Sequence, residues 1–97
     1  MVKGNKKVMK ILATNTYEQE LKKILEPMAI ENLEDTKKFK IYLDTIIINI
    51  PTKFFKYEKS QYFDDDYIRD VEYEHCRVVV YFDEMNNNYI ILSILEK

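Results

Sequence analysis

The stretch RVVVYF, residues 77–82, is nearly all apolar and predicts a strand that is buried on both faces. A second apolar run, YIILSIL at residues 89–95, predicts another strand. Between them we place a turn at residues 85–88, because asparagine tolerates left-handed backbone better than most residues. Residues 67–75 alternate between apolar and charged side chains, as a half-buried strand does. The second half of the chain is therefore predicted to be a three-stranded antiparallel meander.

The chain before this meander begins with a predicted strand at residues 8–13. A helix is predicted to start at Thr16, because threonine followed three residues later by Gln19 matches a capping box. Apolar residues then recur at helical spacing. We expect Pro27 to kink this helix or to end it near Glu26, since proline removes one hydrogen bond from a helix.

A second helix is predicted to begin near Asn32 or Leu33 and to end at Pro51, because the residue before a proline resists helical backbone. Residues 41–50 are rich in β-branched side chains, so a strand is the alternative there. Helical spacing of the apolar residues favours the helix. The predicted order is βααβββ, an α+β fold with a helical hairpin on one face of the meander.

The composition indicates one folded domain over residues 1–97, with residues 1–7 frayed. The hydrophobic share is 46%, yet no stretch reaches the roughly 18 apolar residues of a membrane span. The single cysteine cannot form a disulfide within the chain, which fits a reducing cytoplasm. One cysteine and one histidine leave no ligand set for zinc, and we expect no metal and no cofactor. The net charge of −2 excludes a uniformly basic surface, the kind that nucleic acid favours.

In this order of elements and in five short motifs, the chain resembles the RelE/ParE superfamily of bacterial type II toxins. The motifs are IP at residues 50–51, KSQYF at 59–63, IRDV at 68–71, RVVVY at 77–81 and IILSIL at 90–95. The first fifty residues match by pattern alone. The resemblance implies a cytoplasmic toxin of a toxin–antitoxin system, associated with plasmid stabilisation and growth inhibition, and neutralised by a cognate antitoxin through protein–protein contact.

Two branches of this family imply different targets. RelE-like members are endoribonucleases that cut messenger RNA on the ribosome, whereas ParE-like members poison DNA gyrase. A third interpretation is a non-toxic domain of the same fold that only binds an antitoxin. The resemblance therefore leaves open whether the chain is an enzyme.

The nuclease interpretation places three residues in the catalytic site. Arg77 matches the middle-strand arginine that RelE-like nucleases hold at the scissile phosphate, where a guanidinium stabilises developing charge. Lys97 could supply a second basic group, and Arg69 a third. The alternative for Arg77 is an ion pair with Asp70, Glu72 or Glu74, and the alternative for Arg69 is a pair with one of the aspartates at 64–66.

A second candidate site combines lysines with aromatic residues. Lys53, Lys56 and Lys59 alternate with phenylalanine and tyrosine, a combination that grips single-stranded RNA. Alternatively, the phenylalanines cover the core and the lysines are solvated. Tyr81 matches a tyrosine common on the middle strand of the family, and core packing is the other role open to it.

The ParE-like branch is the one that we favour from the sequence. The net charge is negative, and no aromatic residue or histidine follows Lys97 to act as a stacking or acid–base partner. We therefore expect growth inhibition through a protein target such as DNA gyrase, with the ribosome and messenger RNA as the alternative target.

Overall fold

Two helices pack on one face of a five-stranded mixed sheet in the computed structural model, which describes residues 8–97. The expectation that residues 1–7 are frayed lies outside the described residues. The helices are α1, Asn15–Glu31, and α2, Leu33–Asn49. The strands are β1, Lys10–Ala13; β2, Glu58–Lys59; β3, Ile68–Tyr73; β4, Cys76–Asp83; and β5, Asn88–Glu96. The predicted α+β class with two helices is confirmed.

The predicted strand order and the three-stranded antiparallel meander are wrong. The sheet has five strands in the order β1-β5-β4-β3-β2. β1 joins β5 in parallel, with Lys10 opposite Asn88. The additional strand β2 has only two residues, both charged, so it carries no apolar period that a sequence pattern could reveal.

Helix α1 begins one residue before the predicted start, and its cap is Thr14 instead of Thr16. The hydroxyl of Thr14 accepts a hydrogen bond from the backbone N–H of Tyr17 at 3.0 Å and donates one to the carbonyl of Leu92 at 2.8 Å. Its own N–H donates to the carbonyl of Ile91, which continues the pairing of β1 with β5. The cap therefore sits where the strand ends, and the predicted capping box is wrong.

Pro27 lies inside α1, which continues to Glu31. Of the two effects expected of Pro27, an end of the helix near Glu26 is therefore wrong, and a kink stays a prediction. Asn32 separates the two helices and serves both of them. Its N–H donates to the carbonyl of Met28 at 2.8 Å, and its side-chain oxygen accepts from the N–H of Asp35 at 3.1 Å. The predicted start of the second helix is confirmed.

The core lies between the helices and the central strand β4. Val78, Val79 and Val80 are each no more than 1% exposed, which confirms the prediction of a strand buried on both faces. Helix α2 contributes Leu43, which is fully buried. Asn87 adopts a φ of 56° in the turn before β5, so an asparagine does take the left-handed conformation there.

The buried Tyr17 makes the stability of the fold depend on pH in the alkaline range. Burial, followed by the negative charges of Asp44 and Glu18, raises the pKa of Tyr17 to about 12. Because the unfolded chain loses this proton near its ordinary value of 10, the stabilisation is complete below pH 10 and is lost as the pH rises through 12. We expect the urea midpoint to fall across this window, and to fall less in Tyr17→Phe. An equal fall in both proteins would contradict the role of Tyr17.

Candidate functional site

Two of the predicted catalytic residues, Arg77 and Lys97, converge on one carboxylate. Register places Glu72 of β3 opposite Arg77 of β4. The Arg77 guanidinium donates from Nη2 to Glu72 Oε2 at 2.8 Å, and Lys97 Nζ lies 3.3 Å from Glu72 Oε1. The structure therefore brings these two cations together, and Glu72 is paired with both of them.

Asp70 holds Arg77 from the other side. Its carboxylate is buried, and its Oδ2 lies 3.7 Å from Arg77 Nη1 and accepts the backbone N–H of Gln61 at 3.1 Å. Within the described residues, Asp70 Oδ1 and Arg77 Nε are buried without a hydrogen-bond partner. Arg77 is therefore paired with Asp70 and Glu72, two of the three carboxylates that the alternative interpretation named.

These four residues, Asp70, Glu72, Arg77 and Lys97, form what we call the charge cluster. Side chains alternate along a strand, and Val71 of β3 belongs to the core under the helices. Asp70 and Glu72 therefore lie on the far face of the sheet, away from the helices. With two carboxylates and two cations, the charge cluster has no net charge.

Arg69 does not join the charge cluster. It shares the side of β3 that Val71 occupies, and its guanidinium carbon lies 5.2 Å from the centre of the Phe55 ring. It donates to the backbone carbonyls of Asp66, at 2.9 Å, and Tyr57, at 3.0 Å. The predicted alternative was a pair with one of the aspartates at 64–66, and the contact with Asp66 is made through its backbone carbonyl. Arg69 thus ties the 57–66 segment to the sheet.

The three lysines predicted to bind RNA have different surroundings. Lys59 lies between Asp64, at 3.2 Å, and Asp66, at 3.3 Å, and these hydrogen-bonded carboxylates, Asp64 first, raise the pKa of Lys59. Lys53 and Lys56 are exposed. Only two of the three lysines are therefore available as cations to a ligand.

The aromatic residues next to these lysines divide between the core and the surface. Phe54 is 2% exposed and packs in the core, as the alternative interpretation has it, whereas Phe55 remains 55% exposed. Tyr81 is half-buried on β4, opposite Ile68 and Ile90. The region therefore presents the exposed ring of Phe55 near the exposed Lys53 and Lys56.

The remaining reactive side chains are structural. Burial raises the pKa of the Cys76 thiol, which keeps it in the neutral, unreactive form. His75 Nε2 lies 3.4 Å from a carboxylate oxygen of Glu96, at the end of β5. Among residues 8–97, no three His, Cys, Asp or Glu side chains come together as a metal site would require.

An apolar groove, which the sequence analysis missed, lies between the two helices and β1. This helix groove encloses about 520 Å³. Its apolar lining includes Ile11, Tyr17, Leu21, Leu25, Ile47 and Ile91. Ion pairs mark its rim, with Lys40 Nζ 2.7 Å from Asp44 and Lys22 Nζ 4.0 Å from Glu26. The only signal in the sequence was that each helix carries more apolar residues than one face of the sheet covers.

Comparison with models of protein families gave no match, and comparison with curated protein sequences gave none either. The resemblance to RelE/ParE toxins therefore stays a prediction. Within the described part of the chain, no helix combines the length and the hydropathy needed to cross a membrane.

Proposed function

We propose that this chain is the toxin of a type II toxin–antitoxin system, of the ParE-like kind, and that it inhibits growth by binding a protein target such as DNA gyrase. A cognate antitoxin would neutralise it, and both would act in the cytoplasm. The proposal combines the sequence resemblance with the neutral charge cluster, which favours protein binding over RNA cleavage.

The neutralised cations are the observation that carries this choice. A nuclease that uses arginine needs the guanidinium free to bind the scissile phosphate and the charge that develops on it. Here Arg77 is committed to Asp70 and Glu72, and Lys97 is committed to Glu72. A phosphodiester would have to displace a carboxylate that is already bonded, and it would approach a site without net positive charge.

The helix groove is the surface that suits a protein partner. Its apolar lining would gain from removal from water, and its charged rim can select the partner's orientation. We infer that the protein target covers this groove. No cofactor is needed for such a contact.

The proposed function is tested by short induced expression in bacteria, with the 5′ ends of messenger RNA mapped minutes after induction. We expect growth arrest with intact messenger RNA, and inhibition of purified gyrase in a supercoiling assay. New 5′ ends inside translated codons would overturn the proposal in favour of a RelE-like nuclease. Normal growth would support the third interpretation, a non-toxic domain that only binds an antitoxin.

A charge reversal on the groove rim tests the surface itself. Lys40→Glu replaces the cation paired with Asp44 by a second negative charge, and we expect it to reduce growth arrest strongly. The control is Lys38→Glu, an exposed position on the same helix that does not line the groove. Equal arrest by both variants and the unchanged chain would exclude the groove as the contact surface.

The nuclease remains the second candidate because Arg77 and Lys97 do converge. Both contact one carboxylate, so both could contact one phosphate. Lys97→Ala separates the two functions without exposing a buried charge, since Lys97 Nζ contacts only the half-exposed Glu72 among the described residues. Arrest that survives Lys97→Ala supports the protein target, and arrest that disappears supports the nuclease.

A further inference from the structure

Glu72 occupies the space between two cationic groups at the surface of the sheet. Its two oxygens have separate donors, with Arg77 Nη2 2.8 Å from Oε2 and Lys97 Nζ 3.3 Å from Oε1. The Glu72 side chain is 56% exposed, while that of Asp70, on the other side of Arg77, is 5% exposed. Glu72 is thus the outer member of the charge cluster, and it can turn into solvent without uncovering the core.

The guanidinium of Arg77 has a second carboxylate partner besides Glu72. The Arg77 side chain is only 17% exposed, and the buried Asp70 fixes its other edge. The backbone N–H of Lys97 donates to the carbonyl of His75 at 2.8 Å, which fixes the point from which its flexible side chain extends. A guanidinium and an ammonium that meet at one carboxylate can bind phosphate oxygens in its place.

We propose that Arg77 and Lys97 form an oxyanion-binding site that Glu72 fills from within the chain. Glu72 thereby keeps phosphate groups off the far face of the sheet. The ligand class is a phosphate group, whether a free ion or part of a nucleic-acid backbone. This inference concerns binding alone and does not depend on the proposed protein target.

Charge and tethering explain why Glu72 excludes an external anion. With Glu72 the two cations face two carboxylates, and without its charge they face only Asp70, so the site gains one net positive charge. Glu72 also competes at a high effective concentration, because it is attached to the adjacent strand. Glutamine at this position is neutral and no longer competes as an anion.

The test compares Glu72→Gln with Glu31→Gln, which removes the same charge from an exposed position at the end of α1. Each ¹⁵N-labelled protein is titrated with inorganic phosphate at constant ionic strength, and the Arg77 Nε–H and Lys97 amide signals are followed. We expect Glu72→Gln to bind phosphate about tenfold more tightly than the unchanged chain, the equivalent of ~1.4 kcal/mol. Glu31→Gln should behave as the unchanged chain does.

Two further arms identify the site and the source of the phosphate. The double variant Glu72→Gln/Lys97→Gln should lose the gain, because one of the two donors is gone. A titration with a short single-stranded RNA identifies the source of the phosphate. If the site takes a nucleic-acid backbone, Glu72→Gln binds RNA more tightly as well; if it takes a free ion, only the affinity for phosphate rises. No gain of Glu72→Gln over Glu31→Gln, or a gain that persists in the double variant, would overturn the proposal.

Discussion

Replacing Leu43 with alanine is expected to lower the free energy of unfolding by about 3 kcal/mol, a large share of the stability of a domain this small. Leu43 is fully buried in the core, at the centre of the α2 stripe that meets the sheet. The change removes apolar atoms from a packed site and leaves a cavity, and the two costs add. Urea unfolding followed by circular dichroism measures the difference.

Leu33→Ala is the matched control for this prediction. It removes the same atoms from the same helix, but Leu33 is 53% exposed at the first residue of α2. We expect the free energy of unfolding to change by less than about 0.5 kcal/mol. Similar losses at both positions would mean that α2 does not pack on the sheet through Leu43.

The sequence was most informative where a structure depends on neighbouring residues. Helical spacing identified α2 despite its many β-branched residues, and Asn32 marked its start because a cap needs only the first helical turn. Thr14 was missed for a non-local reason. Thr14 caps α1 because β1 ends there. The end of β1 depends on its contacts with β5, such as the hydrogen bond from Thr14 to Leu92, which is 78 positions away.

The sheet topology could not be predicted either, because it also depends on contacts between residues far apart in sequence. A four-residue strand such as β1 has the same alternation whether its partner is parallel or antiparallel, and whether it lies at the edge or the centre. The parallel pairing of β1 with β5 joins strands that are separated in sequence by both helices and three other strands. The two residues of β2 pair with β3 without any pattern of their own.

The candidate site was partly predictable from strand register. An ion pair between Arg77 and Glu72 follows from a tight turn between β3 and β4, since the two residues are five positions apart and directly opposite. The contact between Lys97 and Glu72 spans 25 positions and needs the order of three strands. Sequence reasoning therefore named the cations and several carboxylates that could pair with Arg77, but it could not show that one carboxylate serves both cations.

Removing the buried carboxylate of the charge cluster is expected to have the other large effect. Asp70→Ala should lower the free energy of unfolding by about 3 kcal/mol, because it leaves a nearly buried guanidinium with one partner fewer. It also leaves the N–H of Gln61 without its acceptor, which frees one end of the 60–67 loop. Urea unfolding measures the loss, and hydrogen exchange at Gln61 and Tyr62 measures the release of the loop.

Asp64→Ala is the comparison that separates burial from charge. Asp64 also pairs with a cation, Lys59, at 3.2 Å, but this pair is open to water and shares its lysine with Asp66. We expect no measurable change in the urea midpoint, since solvent replaces what the exposed carboxylate supplied. If Asp70→Ala proves as mild as Asp64→Ala, Arg77 needs no buried counter-ion. Glu72 alone would then hold the arginine, and its removal would free Arg77 as well as Lys97.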